Sequence, residues 1–435
     1  MLRDLFVKAL DRHRSGDLAQ AAQLYRAGLA FDPLGVGCLG NLGGALRDLG
    51  RLDEAAPLLH RALRLLPQEP LLYLNLGALL HFSTDPAGAR ACVRRAILLV
   101  PGLGEAYSNL GGSAQLEGDL ETAEAAFRRA LLIAPDLPEG HLCLSLLLLL
   151  TGRFQEGWEH FEWRWQTRQQ SGERRDFAPP QWRGEPAEGK ILLLHGEQGF
   201  GDTIQFSRYA ARAAARGLRV IMEVQPPLRR LLASTPGCER VIGQGEALPD
   251  FDLHCPMMSM PLAVGTDIPP LVRLDAEAAA LSGAGHKIGL VWAGKPRAES
   301  PEKAAFDRRR SLNPERLAPI LAVPGCSFFS LQKGGPPIPA GAPITDLMQG
   351  IEDFAETASL IAALDLVISV DTSTAHLAAS MGKPVWLMNR FDSDWRWGTE
   401  GEESPWYPTM RIFRQSSLGD WDGVIAAIAA AARDL

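Results

Sequence analysis

The sequence lacks an apolar run long enough to cross a membrane. Residues 144–150 are rich in leucine, but Ser145 interrupts them, and a transmembrane helix needs about 20 apolar residues. The first residues contain no short apolar segment followed by a small-residue cleavage site, so we expect no secretory signal. The sequence therefore predicts a cytoplasmic protein with no transmembrane segment.

Cysteine is scarce and scattered. The six cysteines are Cys38, Cys92, Cys143, Cys238, Cys255 and Cys326. No two of them form a C-x-x-C pair. This spacing is typical of reduced, mostly buried thiols in a cytosolic protein, and it predicts no zinc site.

An excess of positive charge is also missing. Lys and Arg total 44 against 51 Asp and Glu, which gives a net charge of −7 and a pI near 5.8. This balance argues against a general nucleic-acid binder. The 435 residues give room for about three domains of ordinary globular composition.

Prolines recur every 34 residues in the first part of the chain, and an Asn-Leu-Gly triplet recurs with them. The prolines are Pro33, Pro67, Pro101 and Pro135, and the triplets start at Asn41, Asn75 and Asn109. Small residues at fixed offsets let paired helices pack closely. This pattern resembles the tetratricopeptide repeat and predicts an α-solenoid of about five repeats over residues 1–168.

The fifth repeat ends in aromatic residues instead of a proline. Trp158, Phe161, Trp163 and Trp165 lie there. We expect them to form an apolar cap that packs the end of the solenoid against the next domain, rather than a ligand cage. A polar linker over residues 169–187 follows.

Strands and helices alternate after the linker. A buried strand at residues 190–194 leads into a glycine-rich turn at 196–202. The G-x-x-G-x-G spacing of that turn is not the dinucleotide fingerprint, and no P-loop Gly-Lys-Ser/Thr is present. Another buried strand is predicted at residues 364–370. The alternation predicts Rossmann-like domains at 188–285 and 286–435, with a cleft lined by strand carboxyl ends from both.

Short patterns in these two domains carry a resemblance to a known enzyme group. They are Gly201-Asp202 in the glycine-rich turn, Gln332-Lys333-Gly334, Asp371-Thr372-x-x-x-His376 after the second buried strand, and a Trp-rich tail over residues 395–408. Together they resemble the GT-B glycosyltransferases, specifically the family 9, heptosyltransferase-like group.

The resemblance implies a fold and an activity. A tetratricopeptide-repeat α-solenoid would precede an α/β GT-B fold of two Rossmann-like domains, with the acceptor on the first and the nucleotide sugar on the second. This order is similar to that of the O-linked N-acetylglucosamine transferase and of bacterial flagellin glycosyltransferases. The implied activity is inverting transfer from a nucleotide sugar, which is a substrate, so no cofactor is expected.

A diphosphate leaving group needs hydrogen-bond donors and positive charge as its bond to the sugar breaks. Backbone N–H groups at the Asp-Thr turn, lysines and an arginine after a loop-like segment (residues 296–309) meet that need, and two carboxylates before the buried strand could hold the ribose. The expected donor-binding residues are Lys295, Arg310, Ser311, Gln332, Lys333, Asp353, Glu356, Asp371, Thr372 and Ser373.

Two of these assignments have alternatives. The run Arg308-Arg309-Arg310 is equally a solvated face, and Glu356 is equally well placed as a first-turn helix residue.

An acceptor hydroxyl loses a proton as it attacks, so a carboxylate or histidine is expected to face the donor. The resemblance gives Asp202 this role, and the alternative is that Asp202 only caps the following helix. His376 is expected to orient Asp371 or a sugar hydroxyl. His195 and Glu197 are further candidates for the base.

One pattern resembles a metal site. Asp392-Ser393-Asp394 has the D-x-D spacing that binds Mn²⁺ or Mg²⁺ in GT-A transferases. It lies in a Trp-rich loop, where a GT-A fold would not place it. We therefore expect loop structure there, no metal site and metal-independent transfer.

The repeats suggest a binding groove. Asn41, Asn75 and Asn109 occupy one position of successive repeats, and such a ladder can hydrogen-bond the backbone of an extended peptide. The alternative is that these asparagines only satisfy neighbouring turns.

The favoured hypothesis is a glycosyltransferase whose repeats recruit a protein acceptor such as flagellin. Two others remain open, namely a repeat scaffold with an inactive GT-B region and a transferase acting on lipopolysaccharide. The intact Gly-Asp, lysine and D-T-x-x-x-H positions favour activity.

Overall fold

The computed structural model describes residues 2–297 and 301–435, and within residues 2–161 ten α-helices follow one another. They are α1 (Leu2–Arg14), α2 (Leu18–Phe31), α3 (Val36–Asp48), α4 (Leu52–Leu65), α5 (Pro70–Phe82), α6 (Pro86–Leu99), α7 (Gly104–Leu116), α8 (Leu120–Ile133), α9 (Pro138–Leu150) and α10 (Phe154–Phe161). The predicted solenoid of helix pairs is confirmed.

The repeated small residues have a clear packing role. A Cβ added at Gly43 would lie 2.7 Å from the Leu59 side chain, and one at Gly111 would lie 2.4 Å from the Phe127 ring. Real Cβ atoms do not approach so closely, so glycine is required where paired helices contact one another. The Asn-Leu-Gly triplets thus mark helix contacts in the repeats.

Two parallel sheets follow the solenoid. The first has the order β3-β2-β1-β4 and the second has the order β10-β9-β8-β5-β6-β7. The strands are β1 (Ile191–His195), β2 (Arg219–Val224), β3 (Cys238–Gly243), β4 (Leu253–Pro256), β5 (His286–Val291), β6 (Cys326–Ser330), β7 (Ile344–Asp346), β8 (Leu366–Val370), β9 (Val385–Asn389) and β10 (Met410–Arg414). This order of solenoid and α/β region confirms the predicted fold class and is consistent with a GT-B fold.

Helices connect the strands of both sheets. They are α11 (Phe200–Phe206), α12 (Tyr209–Ala214), α13 (Arg229–Leu232), α14 (Met260–Val264), α15 (Pro301–Arg310), α16 (Ala318–Leu321), α17 (Phe354–Ala362), α18 (Ser373–Ser380) and α19 (Trp421–Ala431). The helical segment after the glycine-rich turn is divided into α11 and α12. None of the described helices is long and apolar enough to cross a membrane.

The structure divides into two compact units. The first contains Met1–Leu144 and Pro296–Arg309, and the second contains Ser145–Lys295 and Arg310–Leu435. The predicted domain boundaries at residues 168, 187 and 285 stay predictions. All ten tryptophans belong to the second unit.

The prediction of a loop over residues 296–309 is wrong where the chain forms α15. Residues 298–300 lie outside the described residues. Ala305 is buried, and the guanidinium of Arg297 donates to Asp307 at 2.8 and 3.0 Å. Arg308 donates to the carbonyl of Phe82 at 3.0 Å. A short charged helix is marginal by itself, and packing inside the first unit stabilises it.

The aromatic end of the repeats packs within the second unit. The Trp158 ring lies 5.7 Å from Phe206 and 5.3 Å from Trp395. Next to it, the fully buried Arg164 makes two 3.0 Å hydrogen bonds to the Glu197 carboxylate. The expected apolar cap therefore joins α10 to α11 and to the segment between β9 and β10.

Candidate functional site

The glycine-rich turn and the Asp-Thr turn meet in the second unit. Helix α11 follows β1, helix α18 follows β8, and the two helices pack against each other. A Cβ at Gly201 would lie 2.8 Å from Cδ2 of the His376 ring. This contact leaves no room for a larger residue, so Gly201 sets the distance between the two patterns.

Asp202 is the third residue of α11 and has partners on both carboxylate oxygens. Oδ2 accepts the N–H of Gly199 at 2.9 Å, and Oδ1 forms an ion pair with the guanidinium of Arg396. The alternative role as a helix cap is therefore present, although the helix begins at Phe200. Burial raises the pKa of Asp202, and Arg396 and the Gly199 N–H oppose that rise.

Arg396 is the central residue that sequence reasoning missed. Its Nε donates to Gln205 at 2.5 Å and its Nη1 to Asp394 at 3.0 Å, while its guanidinium lies 4.2 Å from the centre of the Trp395 ring. Burial lowers its pKa, but nearby carboxylates, chiefly those of Asp394 and Asp202, raise it overall. The signal available in the sequence was an arginine between two tryptophans, directly after Asp394.

His376 is a buried, neutral group. Its Nδ1 lies 2.8 Å from the Tyr407 hydroxyl, and its Nε2 lies 3.9 Å from Asp371 Oδ1, too far for a hydrogen bond. Burial, with a further contribution from Arg396, lowers the pKa of His376 to about 3. The expectation that it orients Asp371 stays a prediction.

The Asp-Thr turn places a helix amino terminus at the carboxyl end of β8. Thr372 is the extended cap residue of α18, and its hydroxyl lies 3.0 Å from Ser369 Oγ. The first N–H groups of a helix, here from Ser373 onward, have no intrahelical acceptor. Such groups suit a phosphate.

Arg310 and Ser311 border the same turn. Arg310 Nη1 donates to the carbonyl of Asp371 at 3.0 Å, and Ser311 Oγ accepts the N–H of Gly294 at 3.1 Å. A Cβ at Gly294 would lie 2.2 Å from the Arg310 guanidinium. The turns after β5 and β8 are thus joined through Arg310, which is a predicted donor-binding residue in contact with Asp371.

Gln332 braces the turn after β5. Its Oε1 accepts the N–H groups of Trp292 and Ala293 at 3.0 and 2.9 Å, and its Nε2 donates to the carbonyls of Ala293 and Gly334. Its side-chain amide therefore shapes the turn. The two predicted lysines are exposed, and the Lys333 Nζ donates to the carbonyl of Ile351 at 2.7 Å, while Lys295 makes no hydrogen bond to the described residues.

The predicted ribose carboxylates stabilise the start of α17. Asp353 accepts the N–H of Glu356 at 2.9 Å, and Glu356 accepts the N–H of Glu352 at 2.7 Å. Arg230, from the first sheet's side, donates to Asp353 at 2.9 Å. The first-turn role of Glu356 is present, and a ribose role stays a prediction.

The other base candidates have structural partners. His195 is buried, with Nε2 3.3 Å from Nδ1 of His254, and burial lowers its pKa to about 3. Glu197 is held by Arg164 and by the N–H of Met258. Neither side chain makes a hydrogen bond to the Asp-Thr turn in the part of the chain that the structure describes.

The carboxylates of the D-x-D pattern are each paired with an arginine. Asp392 lies 2.5 Å from Arg390, and Asp394 lies 3.0 Å from Arg396. Residues 392–394 form a loop, as expected. Among the described residues, no group of three or more ligand-type side chains could hold a metal ion.

The three repeat asparagines differ in their contacts. Asn41 donates to the carbonyl of Gly37 at 2.8 Å, and Asn75 accepts from Arg47 at 2.9 Å. The side-chain amide of Asn109 makes no hydrogen bond to the described residues. Asn109 is thus the one ladder member whose side chain makes no hydrogen bond in that part of the chain.

Comparisons with known families match both parts of the chain. Residues 6–70 and 104–137 match tetratricopeptide-repeat families, and residues 344–392 match the family described as glycosyltransferase family 9 (heptosyltransferase). The chain thus combines tetratricopeptide repeats with a segment that matches glycosyltransferase family 9. That segment contains β7 to β9 and the Asp371–His376 pattern, whereas Asp202 lies outside it.

A curated protein is similar in sequence to part of the chain. Protein FlbA of Caulobacter vibrioides is 28% identical over 339 residues, which are 67% of this chain and 54% of that protein. The chain thus spans about half the length of this curated relative.

Two solved structures match part of the chain at low similarity. TTC0263, a thermophilic TPR protein in Thermus thermophilus, is 18% identical, with 40% of this chain and 94% of that chain covered and a TM-score of 0.37. The pilF protein of Pseudomonas aeruginosa is 17% identical, with 41% and 78% covered and a TM-score of 0.34. Scores this low carry no argument about function.

Proposed function

We propose that the chain is a glycosyltransferase that moves a sugar from a nucleotide-sugar donor to an acceptor hydroxyl. One observation carries the proposal: the Asp-Thr turn of the family 9 segment packs directly against the glycine-rich turn that holds Asp202. A donor site and a carboxylate are thereby combined at the carboxyl ends of parallel strands, where open α/β sheets bind ligands.

In this proposal the second sheet binds the donor. The first N–H groups of α18, the Thr372 and Ser373 hydroxyls and the Arg310 guanidinium stabilise the diphosphate as the glycosidic bond to the sugar breaks. Lys295 and Lys333 add positive charge. The nucleotide sugar is a substrate, and transfer requires neither a cofactor nor a metal.

Asp202 accepts the proton of the acceptor hydroxyl. A positioned general base contributes about 10²–10⁴-fold to turnover. The neutral His376 makes a hydrogen bond with the Tyr407 hydroxyl and packs against Gly201. These contacts fix the distance between α11 and α18.

The repeats recruit the acceptor, which we propose to be a protein such as flagellin. A solenoid of five helix pairs offers an extended surface that a small lipid-linked acceptor does not require. We place the reaction in the cytoplasm.

A two-step experiment tests the proposed reaction. A thermal-shift screen with nucleoside diphosphates and CMP identifies the nucleotide, because a bound ligand raises the unfolding temperature. Transfer from the matching sugar donor is then measured for the parent and for Asp202→Asn. We expect turnover to fall about 10²-fold or more with unchanged nucleotide affinity.

Asp420→Asn is the matched control, because Asp420 also caps a helix of the second unit, accepting the Gly423 N–H at 2.9 Å. It should keep full turnover. Unchanged turnover in Asp202→Asn would contradict the assigned base.

A repeat scaffold with an inactive transferase region is the second candidate. The engagement of both Asp202 oxygens by Arg396 and Gly199 favours it. Nucleotide binding without transfer to any acceptor or to water would support the scaffold over the enzyme.

A further inference from the structure

We propose that Arg396 is a positioning residue that fixes the Asp202 carboxylate in its charged form and in the orientation needed for proton transfer. This inference rests on the proposed function, since it concerns the same carboxylate. Arg396 lies in the segment between β9 and β10 of the second sheet, whereas Asp202 lies on the helix that follows the first strand of the first sheet.

The guanidinium is held by a separate partner at each nitrogen. Nη2 binds Asp202, Nε donates to Gln205 at 2.5 Å, and Nη1 donates to Asp394 at 3.0 Å. Asp202 and Gln205 are three residues apart on α11, so Arg396 binds two side chains on the same face of that helix.

The Trp395 ring and Asp394 also hold the Arg396 guanidinium in place. The guanidinium lies 4.2 Å from the centre of the Trp395 ring, and Asp394 also accepts the backbone N–H of Arg396 at 3.1 Å. A planar guanidinium that contacts a ring and binds two carboxylates has little freedom to rotate. The Asp202 oxygen that it binds is therefore fixed as well.

Arg396 supplies a positive charge beside the partly buried carboxylate. Arg396 is 7% exposed, and the Asp202 side chain is 20% exposed. The charged or titratable groups around this pair are Asp371, Asp394, His376, Tyr407 and Arg208. Asp371 and Asp394 disfavour a charged Asp202, and Arg396 is the cation in direct contact with it.

Lysine cannot take the place of Arg396. An ammonium lacks the planar fork that reaches Asp202, Gln205 and Asp394 together. Arg396→Lys would keep a positive charge and lose orientation, whereas Arg396→Gln would lose both. The two variants separate the electrostatic role from the orienting role.

The test measures kcat/KM against pH for full-length parent, Arg396→Gln and Arg396→Lys. Loss of the cation raises the pKa of Asp202, so the acid limb of the Arg396→Gln profile should move to higher pH by about one unit or more. In Arg396→Lys the limb should move less, while kcat falls at every pH. The KM for the donor should stay within about twofold in both variants, because Arg396 acts through Asp202.

A double-variant cycle tests whether the effect passes through Asp202. Adding Arg396→Gln to Asp202→Asn should cost no further turnover, because no carboxylate remains to be positioned. Arg390→Gln is the matched control: Arg390 is also buried and pairs with Asp392 in the same segment, but it makes no hydrogen bond to Asp202. Its acid limb should coincide with that of the parent.

Two results would overturn the inference. One is an unshifted acid limb in Arg396→Gln with an equal loss at every pH, and the other is a full additional loss in the double variant. If no donor is turned over, carboxyl ¹³C NMR titration of Asp-labelled parent and Arg396→Gln, assigned with Asp202→Asn, measures the Asp202 pKa directly. An unchanged pKa there would overturn the role of Arg396, whereas a raised pKa with no transfer would contradict only the proposed function.

Discussion

At the scale of single residues, the histidine of the D-T-x-x-x-H pattern is a packing and hydrogen-bonding group. His376 is 4% exposed, bonds the Tyr407 hydroxyl and lies 5.3 Å from the Trp397 ring centre. With its pKa lowered to about 3, the ring is neutral at pH 7. His376 therefore contributes to stability through its neutral form.

This neutral histidine predicts a pH dependence of stability. The folded-state pKa lies below the unfolded value of about 6.5, so between these values the unfolded chain binds more protons. The stabilisation is complete above about pH 6.5 and is lost as the pH falls toward 3. As the pH falls from 6.5 to 4, the His376→Gln variant should therefore lose less unfolding free energy than the parent. The two slopes should differ by up to about 1.4 kcal/mol per pH unit.

Tryptophan fluorescence during denaturation measures this effect, because all ten tryptophans lie in the second unit. His60→Gln, at an exposed histidine of the repeats, is the control and should keep the parent slope. Equal slopes for His376→Gln and the parent would contradict a buried neutral His376.

The paired carboxylates of the D-x-D pattern lead to a prediction on metal. Asp392 and Asp394 already have arginine partners, so we expect transfer to survive excess EDTA. Turnover with and without EDTA, followed by addition of Mn²⁺, checks this. Activity that disappears with EDTA and returns with Mn²⁺ would instead assign a ligand role to the pair.

At the scale of elements, the contact between α11 and α18 depends on one missing side chain. Gly201→Ala would place a Cβ 2.8 Å from the His376 ring, which is buried and cannot move freely. The two helices would have to separate. We expect a loss of about 1–3 kcal/mol in unfolding free energy, typical of overpacking, and lower turnover.

Gly172→Ala is the matched control, because a Cβ at Gly172 has no atom within 4 Å in the described structure. Denaturation followed by tryptophan fluorescence should show parent-like stability for this variant. Equal stability of the two alanine variants would mean that α11 and α18 do not pack as closely as the structure shows.

At the scale of the whole molecule, we expect the repeats to recruit the acceptor and the α/β region to carry out the proposed transfer. Asn109→Ala removes the ladder amide that makes no hydrogen bond to the described residues, so we expect weaker capture of the protein acceptor. Hydrolysis of the donor by water should be unchanged. A pull-down of purified flagellin and a donor-hydrolysis assay measure the two properties side by side.

Asn41→Ala serves as the control, because the Asn41 amide is already bound to its own helix at Gly37. It should capture the acceptor as the parent does. Equal capture by the Asn109→Ala variant would contradict the groove hypothesis, and a parallel loss of capture and hydrolysis would indicate a damaged fold.

The sequence by itself determined the features that depend on near neighbours. The 34-residue period predicted the helix pairs, because each small residue contacts a helix close by in the chain. The apolar run at residues 364–370 predicted β8, which forms over Leu366–Val370, because a strand covered on both faces shows no alternation.

Only the tertiary structure decided which distant residues meet. Arg396 and Asp202 are 194 residues apart, and nothing local to either residue specifies the partner. Gln332 is predicted to bind the donor, and in the structure three hydrogen bonds join its amide to the turn after β5 and a fourth joins it to Gly334. Helix α15 likewise forms where packing covers a charged segment that has little helical stability alone. Local patterns are encoded by neighbouring residues, whereas these contacts exist only once the sheets and helices have come together.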